Sequence, residues 1–148
     1  MKQKSNLRMF FLTVILALAS GVVVSGLLTR SISIPSSGVI KAINVDVYWD
    51  IGCTQNVTEI DWGTPAPGDV VNNVVYIKNG GTSLVTLSML SSGWDPAGAG
   101  SFLSLTWDRE GATVDAGGVI QASLSLDVSG AITGITDFSF NIVIEGTG

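Results

Sequence analysis

Pro67-Gly68-Asp69-Val70-Val71-Asn72-Asn73-Val74-Val75-Tyr76-Ile77-Lys78-Asn79-Gly80-Gly81-Thr82-Ser83-Leu84-Val85-Thr86-Leu87-Ser88-Met89 decides the fold class. Pro67-Gly68-Asp69 is turn chemistry, because proline fixes φ and glycine accepts conformations that other residues resist. Val70 to Lys78 is rich in Val, Tyr and Ile, the composition of a strand. Asn79-Gly80-Gly81 signals a reversal, since Asn and Gly tolerate positive φ. Beyond it, Val85, Leu87 and Met89 alternate with Thr86 and Ser88, which sends the two sets to opposite faces. The stretch reads as a β-hairpin with one apolar face, which must be covered by a second sheet.

The flanking sequence supplies one. Val39 to Trp49 alternates, with Ile43, Val45, Val47 and Trp49 in phase until Asp50-Ile51-Gly52. Thr58 to Trp62 is a short strand closed by Gly63 and Pro65. Ser91 to Gly100 reads as a loop around Trp94. Phe102 to Trp107 is a strand, with turns at Asp108–Gly111 and Asp115–Gly118. Two clean alternations end the chain: Ile120, Ala122, Leu124, Leu126 and Val128, then Phe138, Phe140, Ile142 and Ile144. No segment beyond residue 30 repeats apolar residues at helical spacing. About seven short strands with turns every 8–12 residues predict one all-β, antiparallel two-sheet sandwich. Trp49, Trp62, Trp107, Phe138 and Phe140 are expected to fill much of its core.

The first thirty residues differ in kind. Lys2, Lys4 and Arg8 precede Met9 to Leu28, twenty residues without a charge. A secretory signal peptide fits the basic start and apolar centre, with Ala17-Leu18-Ala19 or Val24-Ser25-Gly26 as cleavage sites. A retained membrane anchor fits the length, since a span needs about 20 apolar residues. Both readings place the C-terminal domain outside the cell, at the surface or beyond it. The expected layout is therefore leader or anchor over 1–30, an extended Ser- and Pro-containing connector over 31–38, and the sandwich over 39–148.

Composition narrows function. Only 13% of the 148 residues are charged, and histidine is absent. Beyond Arg30, three bases (Lys41, Lys78, Arg109) face all twelve acids, a net charge of −9. An acidic domain without a basic stripe is not built for nucleic acid. Lack of histidine removes the commonest general base and zinc ligand. The acids lie singly in turns, without EF-hand spacing, so neither metal nor other cofactor is expected. No phosphate loop, Cys-x-x-Cys or nucleophile–base pattern occurs, and an enzyme is not expected. Cys53, the single cysteine, cannot form an internal disulfide and reads as a small buried hydrophobe.

Val45-Asp46-Val47-Tyr48-Trp49-Asp50, Cys53-Thr54, Ile60-Asp61-Trp62-Gly63, Pro67-Gly68-Asp69 and Val75-Tyr76-Ile77-Lys78-Asn79-Gly80-Gly81-Thr82 resemble small exported archaeal proteins with one immunoglobulin-like domain. That resemblance covers roughly residues 38–148. The Pro-Gly-Asp, strand, Asn-Gly portion also resembles the TasA/camelysin group of secreted fibre subunits and archaeal pili of similar build. In those fibres an N-terminal strand of one subunit completes the sheet of the next. The resemblance implies a donor over residues 31–40, with Ile32, Ile34, Val39 and Ile40 filling the acceptor groove. The proteolysis implied by the camelysin name has no support here, since His-Glu-x-x-His is missing.

The expected function is thus structural: an exported subunit that adds to copies of itself by strand complementation in a fibre or surface layer. The alternative is a monomeric adhesion or binding module held on the membrane by residues 9–28. Two further positions stand out. Asn56-Val57-Thr58 is an N-glycosylation sequon in a turn, so Asn56 is either a glycan acceptor or a turn residue bonded to its own backbone. Trp94, a large aromatic in a Gly/Pro/Ser loop, is either a partner contact or a plug for one end of the sandwich.

Overall fold

The computed structural model describes residues 34–148. The apolar leader and Ile32 lie outside them. The described residues form nine strands: β1 (Ser36–Ile43), β2 (Asp46–Tyr48), β3 (Glu59–Gly63), β4 (Val70–Lys78), β5 (Val85–Asp95), β6 (Leu103–Trp107), β7 (Thr113–Val114), β8 (Val119–Val128) and β9 (Phe138–Thr147). They form a five-stranded sheet, β3-β1-β9-β5-β7, and a four-stranded sheet, β2-β4-β8-β6. Among the described residues there is no α-helix, only a short 3-10 turn at Ala97–Ser101.

Alternation builds the core. Ala122, Leu124, Leu126 and Val128 of β8 are buried, as are Phe138, Phe140, Ile142 and Ile144 of β9. These two strands lie in different sheets, and their apolar rows meet across the sandwich. Full burial of each such Leu, Ile or Phe contributes about 1.5–3 kcal/mol. Trp62 belongs to this core as expected, while Trp107 is half-buried and donates Nε1–H to Glu110 Oε2 at 2.8 Å.

The hairpin reading of Pro67–Met89 is wrong in its pairing. Both strands exist, but β4 pairs with β2 and β8, whereas β5 pairs with β9 and β7. The Asn79–Leu84 connector therefore crosses from one sheet to the other. Asn79 fixes that crossing. It is fully buried, and its Nδ2 donates to Ser83 O at 2.7 Å and Val114 O at 3.0 Å. Its Oδ1 accepts from Gly81 N at 2.9 Å, and its backbone exchanges hydrogen bonds with Gly117 and Gly118. The amide thus ties the connector to the β7–β8 turn and holds it as an arch.

The single strand expected over Val39–Trp49 is two strands in two sheets. Asn44, in the left-handed region at φ 60°, turns the chain between β1 and β2. Its Nδ2 donates to Gly146 O at 3.2 Å. The phase is broken there, and Trp49, expected in the core, is 39% exposed. The first half of the loop expected over Ser91–Gly100 is strand: β5 continues to Asp95 through a register shift after Ser92, and the 3-10 turn follows.

Replacing Asn79 strands two carbonyls and one N–H at a buried arch. Urea unfolding of Asn79→Ala should show a loss of about 2–4 kcal/mol, and a loss below about 1 kcal/mol would contradict this role.

Candidate functional site: the slot that holds the first strand

β1 is an interior strand, flanked by β3 on one side and β9 on the other. It runs antiparallel to β3 and parallel to β9, the one parallel pairing among the described strands. The β9 register runs without a break from Ser36↔Phe138 to Ile43↔Glu145. Further bonds fix the ends: Ile34 N donates to Pro65 O at 3.0 Å, Ile40 N to Thr58 O at 2.9 Å, and Phe138 N to Pro35 O at 3.2 Å.

Alternation sorts the side chains of this segment. Ile34, Ser36, Gly38 and Ile40 face inward and are buried, whereas Val39 lies on the outer face at 43% exposure. Adjacent residues of a strand cannot share a face. Of the four expected donor residues, Ile34 and Ile40 enter the slot, Val39 does not, and Ile32 lies outside the described residues. The residue that sequence reasoning missed is Gly38. A Cβ built there would stand 3.0 Å from Trp62 Nε1, 3.1 Å from Ile142 Cδ1 and 3.5 Å from Phe140 Cζ. The missing side chain lets Trp62 of β3 and Phe140 of β9 approach across β1. Their rings stack with centroids 6.2 Å apart and planes at 22°. Trp62 Nε1 is buried there with no hydrogen-bond partner among the described residues.

Trp94 extends the aromatic row. It stacks on Phe140 at 4.1 Å and 17°, and is half-buried against the core. Its ring packs on the core near the end of the sandwich where β9 begins. Near that end, where β1 begins, Asp61, Asp95 and Asp137 line an open cleft of about 730 Å³. Among the described residues no group of three side chains converges as metal ligands would.

The opposite sheet carries the sequon. Asn56 and Thr58 are exposed while Val57 between them is buried. Asn56 bridges Tyr48 of β2, and Val57 N donates to Val47 O at 2.9 Å. The preceding loop closes on Asp50, whose carboxylate accepts from Thr54 N at 3.0 Å, Thr54 Oγ1 at 3.0 Å and Gln55 N at 2.9 Å. Desolvation pushes that carboxyl up, but the Gln55 and Thr54 hydrogen bonds outweigh it and hold it below the usual carboxylate value. Cys53 sits in this loop at φ 54°, only partly covered, with Sγ 3.7 Å from Ile51 O. It is not the core residue expected.

No protein-family model matches the chain, and no curated protein matches it. Among solved structures, the ASH/PapD-like domain of human CEP192 (PapD-like domain 7) is similar with a TM-score of 0.41 at 9% identity, over 71% of this chain and 85% of that one. The sandwich architecture rests on the strand pairings above rather than on that likeness.

Gly38→Val should destabilise the domain by about 1–3 kcal/mol through overpacking and should alter the near-ultraviolet circular dichroism of the Trp62–Phe140 stack. Unchanged stability with an unchanged aromatic signal would contradict the slot geometry.

Proposed function

We propose that the chain is a non-enzymatic, exported structural subunit with an immunoglobulin-like sandwich, which joins copies of itself into a fibre or surface layer by exchanging β1. One observation carries the reading: β1 lies in a slot between β3 and β9 and is joined to the next strand only through Asn44 and Val45. An interior strand connected by so short a hinge is the element that domain swapping transfers most readily. Within one chain the slot is filled by the chain's own strand. In an assembly the same contacts form between neighbours, so exchange costs little beyond lost translational freedom. Main-chain ladders on both sides of β1 supply affinity. Ile34, Gly38 and Ile40 supply register, because each inward position meets a surface of different depth.

A second reading is a monomeric surface module retained on the membrane by residues 9–28. The filled slot supports it, since the described domain needs no neighbour to complete its sheets. Neither reading requires catalysis, nucleic acid or a cofactor. Hinge length separates them. Deleting Asn44 and Val45 prevents β1 from reaching its own slot, and inserting four Gly/Ser residues there eases that return. Light scattering should show the shortened chain as oligomers and the lengthened one as monomer. A shortened chain that stays a folded monomer at high concentration would overturn the exchange reading.

A further inference from the structure

Asn56-Val57-Thr58 is the only Asn-x-Ser/Thr triplet in the chain. The fold places it on the outermost rib of the second sheet. Trp49 N donates to Gln55 O at 2.8 Å and Val57 N to Val47 O at 2.9 Å, so residues 55–57 run along the free edge of β2. Val47 and Val57 both point inward and are buried. Tyr48 and Asn56, opposite each other in the bridge, therefore point outward together. Tyr48 is in turn directly opposite Tyr76 of β4. The outer face thus carries a row of Asn56, Tyr48 and Tyr76, with neighbours about 5 Å apart. Both rings are only half covered. Two other asparagines are spent on structure: Asn79 is buried in its arch and Asn44 holds Gly146 O.

We propose that Asn56 is a glycan acceptor and that its glycan lies along the Tyr48–Tyr76 row. The proposal rests on the export reading, because transfer takes place on the outer side of the membrane. The co-reactant is a saccharide linked to a polyprenyl phosphate or pyrophosphate. Asn56 Nδ2 forms a bond to the anomeric carbon while the anomeric C–O bond to phosphate breaks. The lipid phosphate leaves with that electron pair, and the amide nitrogen gives up one proton to a base of the transferase. Exposure of both Asn56 and Thr58 makes the triplet accessible in the folded domain. The C–H face of the first sugar then packs on the electron-rich face of Tyr48.

This position has a consequence for assembly. A bulky, hydrated glycan at the rib beside β2 blocks strand addition to that edge of the second sheet. The β1 slot lies in the other sheet and stays clear. Within the second sheet, only the β6 edge is then left open to strand addition.

Trypsin should release Ala42–Lys78 as one peptide, since no Lys or Arg lies between Lys41 and Lys78. The test is mass mapping of that peptide in the full chain recovered separately from the medium, membrane and cytoplasmic fractions of a glycosylating host. The expected result is sugar-mass increments in the exported chain, kept in Thr58→Ser and lost in Asn56→Gln and Thr58→Ala. Upfield-shifted sugar protons that return to ordinary positions in Tyr48→Ala would establish the packing on the row. An exported chain with an unmodified Ala42–Lys78 peptide overturns the acceptor assignment while leaving export intact. A chain confined to the cytoplasm overturns export itself and the acceptor assignment with it.

Discussion

A strand with no side chain at one inward position lies between two aromatic rings. That contact, Gly38 beneath Trp62 and Phe140, makes the first sheet continuous. Without β1, β3 would be cut off from β9, and the apolar rows of Trp62, Phe140 and Ile142 would lose their lateral support. Shape does much of the work here. Ile34 and Ile40 fill depth where the slot is deep, and Gly38 yields where it is shallow. A segment shifted by one residue would turn Val39 inward and Gly38 outward, which the parallel register with β9 does not permit.

Asn79 plays the complementary part for the two sheets. Arches between sheets must leave backbone groups without ladder partners, and a buried group without a partner costs about 1–3 kcal/mol. Asn79 resolves this with one amide, which serves Ser83, Val114 and Gly81 at once. The arch turns β5 away from β4 and into the sheet that holds β1. The position of the slot and the path of the Asn79 connector are thus linked.

Much of this was legible in the residues, and the failures have physical causes. β8 and β9 were readable because strict alternation reports burial of one face, which holds whatever the strand's partner is. Partnership itself is invisible to periodicity, so β4 and β5 looked like a hairpin although they lie in different sheets. The break at Asn44 was hidden because Val45 and Val47, beyond it, alternate as a continuing strand would, although the buried positions switch from even to odd there. Gly38 read as the end of a linker, since glycine weakens a strand; only the rings on either side reveal why it is there. Cys53 beside a strand suggested burial, but it sits in the loop that closes on Asp50 and is only partly covered.

The central claim is that β1 occupies a slot which a neighbour's β1 also fits. Val39 and Asn141 are register partners across the β1–β9 pair, and neither is buried. In a Cys53→Ser background, cysteines at both positions should close a disulfide wherever β1 is seated. Assembled full-length protein, oxidised and run without reductant, should give a ladder of covalent multimers. Cross-links found only within single chains of the assembled material would contradict the account.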